Sequence, residues 1–206
     1  MERAPKIHLI DDDEEFRIAM ARLLRLASYE VRAYASAGDF LLAPDEDSPG
    51  CILLDIQMPG PSGLDLQKAL VLKPNGMPII FLTGHGDIPS TVRAMREGAV
   101  DFLTKPVSKE TLLSAVERAL SLDVERRARR EELRAWQNSF RALTARERQV
   151  FEGVVAGKLN KQIAAELGTA ERTVKAHRSH VMEKLKIQSV ADLVRVAERL
   201  RLIPPK

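Results

Sequence analysis

Three aspartates stand where short apolar runs end. Asp11 and Asp12 directly follow Lys6–Ile10, and Asp55 directly follows Cys51–Leu54. Thr83 follows Ile79–Leu82, and Lys105 stands just beyond Val100–Leu103. If these runs are strands of an open parallel sheet, all five residues project to one rim. Ligands of such sheets bind beyond the carboxyl ends of the strands. One aspartate at a strand end is commonplace; three carboxylates, a hydroxyl and a lysine at four strand ends form a constellation. Carboxylates gathered so closely repel one another, and a hard divalent cation with oxygen ligands relieves the repulsion.

Such a rim needs a scaffold, and the first part of the chain supplies one. Short apolar runs at Lys6–Ile10, Glu30–Tyr34, Cys51–Leu54, Ile79–Leu82 and Val100–Leu103 are the kind expected for strands buried on both faces. Amphipathic segments lie between them. Phe16, Ala19, Met20, Leu23 and Leu24 recur at helical spacing, and Ser36 with Asp39 and Ser62 with Asp65 have capping-box spacing. A helix opening near Asp87–Pro89 is expected to carry Val92, Met95 and Ala99 inward and to run to Gly98. The last begins after Ser108 and carries Leu112, Leu113, Val116 and Leu120. Strands alternating with helices predict an α/β, doubly wound sheet. His85, two residues beyond Thr83, is read as a surface loop histidine.

Composition bounds the rest. The 206 residues carry 32 Lys+Arg against 29 Asp+Glu, a net charge of only +3. The charge divides unevenly: −5 over residues 1–120, +2 over 121–141 and +6 over 142–206. An acidic front and a basic back imply two modules with different partners, the back one facing a polyanion. No apolar run approaches the ~18–20 residues that span a bilayer, and the first residues lack a signal peptide's pattern. The lone Cys51 rules out an internal disulfide and a cysteine-based zinc site. A soluble cytoplasmic protein is the expectation.

The strings "LIDDDEEF", "ILLDIQMPGPSG", "IIFLTGHGD" and "VDFLTKP" resemble the receiver domain of bacterial two-component response regulators, over residues ~5–121. The resemblance implies a five-stranded parallel sheet of order 2-1-3-4-5. It also implies Asp55 as phosphoacceptor, and Mg²⁺ held by Asp11, Asp12, Asp55 and the Gln57 backbone carbonyl, Asp11 acting mainly through a water. Thr83, Phe102 and Lys105 become the switch residues, and the Lys105–Pro106 peptide is expected to be cis. Phosphorylation would bias the face around residues 86–107. Aspartyl-phosphate phosphatases also place an Asp after a strand, but with a general-acid Asp two residues on. Gln57 occupies that position, so the chain is read as no enzyme.

Residues 121–141 contain neither Gly nor Pro and continue helical propensity, as a charge-rich linker helix with Val124, Leu133 and Trp136 as its larger apolar residues. Trp136 is expected to pack it onto a domain. The back region is all-helical. Thr144 and Glu147 box one helix, Asn160 is expected to cap a short second one, and a third spans about Glu171–Leu185. Ser189 and Asp192 box a fourth. Gly157 and Gly168 punctuate the turns, giving the helix-turn-helix pattern.

The strings "LTARERQVFEGVVAGKLNKQIAAEL" and "RTVKAHRSHVMEKL" resemble the helix-turn-helix effector of NarL/FixJ (LuxR-type) regulators. On the third helix Val174, Val181 and Leu185 share the face that packs on the scaffold. Lys175, Ala176 and Ser179 are expected to face bases in the major groove, with Arg172 on the border. Asn160, Lys161, Thr173, His177 and Arg178 are expected at phosphates. Two departures matter. The family often has Ser or Thr where Ala170 stands, so Thr169 is expected to cap the helix. Ser179 stands where relatives carry Lys, making groove contact less electrostatic.

The whole chain therefore resembles FixJ-type regulators: receiver 1–121, helical linker 122–141, DNA-binding domain 142–206. Implied partners are a sensor histidine kinase, promoter DNA and a second copy of the chain when phosphorylated, and RNA polymerase. A back half that binds protein instead of DNA is the competing reading.

Overall fold

Short apolar runs make stable strands of a parallel sheet where both faces are covered. Lys6–Ile10, Gly50–Asp55 and Ile79–Thr83 are buried throughout, whereas Glu30–Tyr34 and Asp101–Thr104, at the two edges, are partly exposed, contrary to expectation. The computed structural model describes residues 5–43, 48–71, 76–84 and 88–202; His85 and Asp87 lie outside them. Among the described residues, β1 (Lys6–Ile10), β2 (Glu30–Tyr34), β3 (Gly50–Asp55), β4 (Ile79–Thr83) and β5 (Asp101–Thr104) form one parallel sheet. Its order is β2-β1-β3-β4-β5. Lys6 pairs with Glu30 on one side and Gly50 on the other, Ile52 with Ile79, and Ile80 with Asp101. Alternation sends Ile7, Leu9, Cys51, Leu53, Ile80 and Leu82 to one face, against Leu24 of α1 (Glu14–Leu26) and Leu112 and Val116 of α5 (Lys109–Arg141). Ile10, Ile52, Leu54, Ile79 and Phe81 face the other way. There they meet α2 (Ala37–Leu42), α3 (Gly63–Val71) and α4 (Ile88–Arg96).

Local chemistry fixes where the helices begin. Asp13 caps α1 by accepting from the Phe16 N–H at 3.1 Å, and Ser36 caps α2 by accepting from Asp39 N–H at 3.1 Å. Ser62 and Asp65 bond reciprocally at the start of α3, at 3.2 and 3.3 Å. Gly63 is required there: a Cβ would lie 2.1 Å from the Asp55 carbonyl oxygen. That close approach draws α3 against the end of β3.

The orientation of α4 departs from expectation. Ala94 is its buried inward residue and Ala99, just past its end, is buried too, whereas Val92 and Met95 are exposed, together with Ile88 at 79%. The spacing that puts Val92 and Met95 on one stripe does not say which way the stripe points. The helix lays its small face on the sheet, and Gln67 Nε2 of α3 donates to the Ala94 carbonyl at 3.0 Å.

The chain divides into two compact units, one ending at Arg126 and the other beginning at Arg127. The division falls within α5, inside the segment read as one linker. Buried Asp123 accepts from the Gly50 N–H at 2.9 Å in the first unit. Trp136 and Phe140 pack on the core of the second, Phe140 edge-on to Phe151 at 5.1 Å. That core is built from α6 (Ala145–Val155), α7 (Asn160–Leu167), α8 (Glu171–Leu185) and α9 (Val190–Arg199) around Val150, Phe151, Ile163, Val174, Val181, Leu185, Leu193 and Val196. Gly168 ends α7 in the left-handed region, φ 61°, where glycine carries no Cβ penalty.

Two expected caps are corrected. Leu159, not Asn160, is the N-cap of α7, and the Gln162 side chain accepts its N–H at 2.8 Å. Asn160 instead accepts from Arg178 Nη1 at 3.3 Å. Ala170, not Thr169, is the N-cap of α8, and no side chain caps that helix. A hydroxyl one residue too early does not reach the free N–H groups of the first turn. No helix among the described residues is long and apolar enough to cross a membrane.

Candidate functional site

The register brings the carboxyl ends of β1, β3 and β4 level, and the polar residues that close those strands meet. Asp11, Asp12 and Asp55 each offer a carboxylate oxygen, all within 4.8 Å of one another. Asp11 is fully buried, Asp55 nearly so, and Asp12 is exposed. Lys105 enters from the end of β5, its backbone N–H held by the Thr83 carbonyl at 2.7 Å. Its Nζ donates to Asp11 Oδ2 at 2.7 Å and to Asp55 Oδ2 at 2.8 Å. The Lys105–Pro106 peptide is cis.

Backbone groups complete the rim. The Asp13 N–H donates to Asp11 Oδ1 at 3.1 Å, and the Gln57 N–H to Asp55 Oδ1 at 3.2 Å. Burial pushes the Asp11 carboxyl above the usual carboxylate range, with Asp55 adding repulsion, and the hydrogen bond and charge of Lys105 offset only part of this. For Lys105, burial pulls the ammonium down, but bonds to Asp11 and Asp55 carry it above the ordinary lysine value. The pocket therefore holds three carboxylates and one ammonium, a negative surplus of hard oxygen donors. Such a donor set suits a small divalent cation.

Thr83 is fully buried at the end of β4. Phe102 on β5 is half-buried, its ring 6.4 Å from that of Phe81. The two therefore sit on adjacent strands, next to the pocket lysine.

The second unit presents a separate surface. Val174, Val181 and Leu185 bury one side of α8, and Arg172, Lys175, Ala176 and Ser179 are exposed. Thr173, His177 and Arg178 are half-buried along its flank, and Lys161 is exposed on α7. Arg178 and Asn160 are brought together by their hydrogen bond. Lys175 lies 3.5 Å from Glu171, an exposed i,i+4 pair that leaves the ammonium in solvent.

Residues 7–117 match the response regulator receiver domain family, and residues 141–197 match the luxR family of bacterial regulatory proteins. The chain belongs to the NarL/FixJ-type response regulators. Such a regulator is a two-component transcriptional regulator with a receiver and a LuxR-type DNA-binding domain. The response regulator protein TodT of Pseudomonas putida is 43% identical over 200 residues, 97% of this chain and 88% of that one. Nodulation protein W of Bradyrhizobium diazoefficiens is 45% identical over 194 residues, covering 94% and 86%. The solved structure of response regulator StyR has a TM-score of 0.82 at 45% identity, over 96% of this chain and 100% of that one.

Within this response regulator, three contacts lay outside the sequence reading. Arg17 Nη1 donates to the Asp11 carbonyl at 2.7 Å and so braces the turn bearing the acidic pair. The Lys105 ammonium lies 4.1 Å from the Phe16 ring centroid. Glu147, nearly buried and already in the capping box with Thr144, also accepts from Lys184 at 2.7 Å, which ties α6 to α8. Phe16 read as one more apolar residue of an amphipathic helix, and the spacing did not single out Arg17. The only available signal was their place in the first turn after the acidic pair.

Proposed function

We propose that this regulator accepts a phosphoryl group on Asp55 from the phosphohistidine of a partner sensor kinase and then binds promoter DNA as a dimer. The observation that carries the reading is the Lys105 ammonium bridging Asp11 and Asp55 at 2.7 and 2.8 Å among three converging carboxylates. An Asp55 oxygen attacks phosphorus in line; the new O–P bond forms as the N–P bond to the kinase imidazole breaks. Asp11, Asp12, Asp55 and the Gln57 carbonyl would hold Mg²⁺, which when bound supplies neutralisation of phosphoryl charge. Lys105 neutralises the remaining charge on the phosphoryl oxygens. Thr83 and Lys105 then engage the acyl phosphate, and Phe102 turns into the space that Thr83 leaves. This biases a two-state face around α4 and β5.

Exposed Ile88, Val92 and Met95 on α4 support pairing of two receivers through α4 and β5. Paired effector domains then meet two half-sites, with α9 at their contact. A single small module has too little interface for specific affinity. Lys175, Ala176 and Ser179, with Arg172 at the border, read bases, while Asn160, Lys161, Thr173, His177 and Arg178 hold phosphates. The regulator acts in the cytoplasm, engages RNA polymerase at the promoter and catalyses no reaction on a separate substrate.

Incubation of the full chain with labelled acetyl phosphate and Mg²⁺ tests the assignment. Wild type takes up label and Asp55→Asn takes up none; label persisting in Asp55→Asn overturns it.

A further inference from the structure

Lys105 has a partner that phosphoryl transfer as described above does not use. Its Nζ lies over the Phe16 ring, 4.1 Å from the centroid, while donating to Asp11 and Asp55. The ring is delivered by local structure: the Asp13 carboxylate accepts the Phe16 N–H and fixes the first turn of α1 beside the pocket. Phe16 also packs on the core between the sheet and α1, and the Lys105 side chain is only 16% exposed. An ammonium over an aromatic face is attracted by the ring quadrupole, more strongly as water is excluded.

The carboxylates and the ring differ in what competes for them. Asp11 and Asp55, if they held a hard cation with Asp12, would offer less oxygen to Lys105, because such ions seek oxygen ligands. Phe16 would offer as much as before. We propose that Phe16 is a positioning residue for Lys105: the ring keeps the ammonium at the pocket when the carboxylates turn to a cation, so the lysine is in place for the incoming phosphoryl oxygens. The inference rests on the assignment of Asp55 as phosphoacceptor. Without the ring, a lysine on a flexible four-carbon stem samples positions away from the pocket, and fewer encounters find it poised.

The test uses the full chain with Phe16 replaced by mono-, di- and trifluorophenylalanine. These withdraw electron density from the ring face at nearly constant volume. Phe16→Tyr and Phe16→Met complete the series. The rate constant for label uptake from acetyl phosphate is expected to fall stepwise with fluorination, by roughly three- to tenfold at the end of the series. Phe16→Tyr should retain most of the rate and Phe16→Met should lose as much as the trifluoro variant. A packing role alone would leave the fluorine series flat, and a flat series overturns the proposal.

A second measurement needs no phosphoryl donor. The Lys105 ε-methylene proton resonance in the wild-type chain should be shifted upfield by the ring and remain so at saturating Mg²⁺. Its return to the free-lysine position on adding Mg²⁺ overturns the proposal. Failure of the Asp55 reading shows separately, as unlabelled wild type, and takes this proposal with it.

Discussion

Lys105 meets Asp11 in the receiver, and Lys184 meets Glu147 in the DNA-binding domain, both at 2.7 Å and both with a buried carboxylate. The consequences are opposite. Burial and the repulsion of Asp55 hold the Asp11 carboxyl above its usual range. The Glu147 carboxyl is pushed down to about 2, by the hydrogen bond from Lys184 first and that from the Thr144 N–H next. The contact is the same length, so the neighbours decide. In the receiver one ammonium bonds two of three clustered carboxylates, whereas Glu147 takes one donor from α8 and one from the cap of its own helix. The first arrangement leaves negative charge for a ligand to satisfy. The second is closed and serves only to hold α6 against α8.

The largest test of this contrast is Glu147→Gln. Glutamine can still accept from Thr144, but the charge-assisted bond to Lys184 is lost, which costs about 1.5–3 kcal/mol. Trp136 is the chain's one tryptophan and packs on the core of this unit, so its fluorescence reports the unfolding directly. The pH dependence has a definite sign. A carboxyl lowered from 4.5 to about 2 contributes stability that is present above 4.5 and lost as pH falls through about 2. Acid titration of wild type should show that loss in the DNA-binding domain, and Glu147→Gln should flatten it. An unchanged acid profile in the variant would show that Glu147 is not a closed structural pair.

Asp11→Asn should act in the other direction. A carboxyl whose folded pKa is raised weakens the native state while ionised, and the weakening disappears as pH falls through the folded value. In Mg²⁺-free buffer at neutral pH, Asp11→Asn is therefore expected to stabilise the receiver. Lys105 retains Asp55 as its partner, so no charge is stranded. A gain of about 1 kcal/mol would raise the midpoint by a few degrees, readable from amide exchange in β1 and β3. A destabilised receiver would mean that Asp11 is bracing the fold rather than storing charge.

How far these environments can be read from sequence differs by residue. The central strands β3 and β4 were legible because burial on both faces leaves nearly continuous apolar runs, whereas edge strand β2, with Glu30 and Arg32, is exposed on part of its length. The meeting of Asp11, Asp12, Asp55 and Lys105 followed from strand ends sharing one rim. Thr144 with Glu147 announced a helix start, but nothing in the spacing said that Lys184 would arrive on the same carboxylate. That contact depends on how α8 crosses α6, and Phe16 over Lys105 depends likewise on how α1 lies against the end of β5. The inward reading of Val92 and Met95 failed because a periodic stripe is equally periodic on either side of a helix. Ala170 and Leu159 at cap positions hid which residues cap α8 and α7, though not where those helices run, since neither side chain can accept a hydrogen bond.

A third pair of the same length separates distance from environment. Arg199 Nη1 lies 2.7 Å from Glu132 Oε2, with both side chains about half exposed, at 47% and 48%. The Arg199 guanidinium also lies over the Trp136 ring, 5.5 Å from its centroid. Exposed pairs are screened and pay the side-chain entropy of holding two long groups together, so they contribute roughly 0.2–1 kcal/mol. Glu132→Gln should therefore lower the unfolding midpoint followed by Trp136 fluorescence less than Glu147→Gln does. Its effect should vanish in about 1 M salt, where the Debye length is about 3 Å, whereas that of Glu147→Gln should persist because its carboxylate is buried. Equal losses in the two variants, or equal sensitivity to salt, would mean that donor–acceptor distance rather than burial and neighbours sets the strength of these pairs.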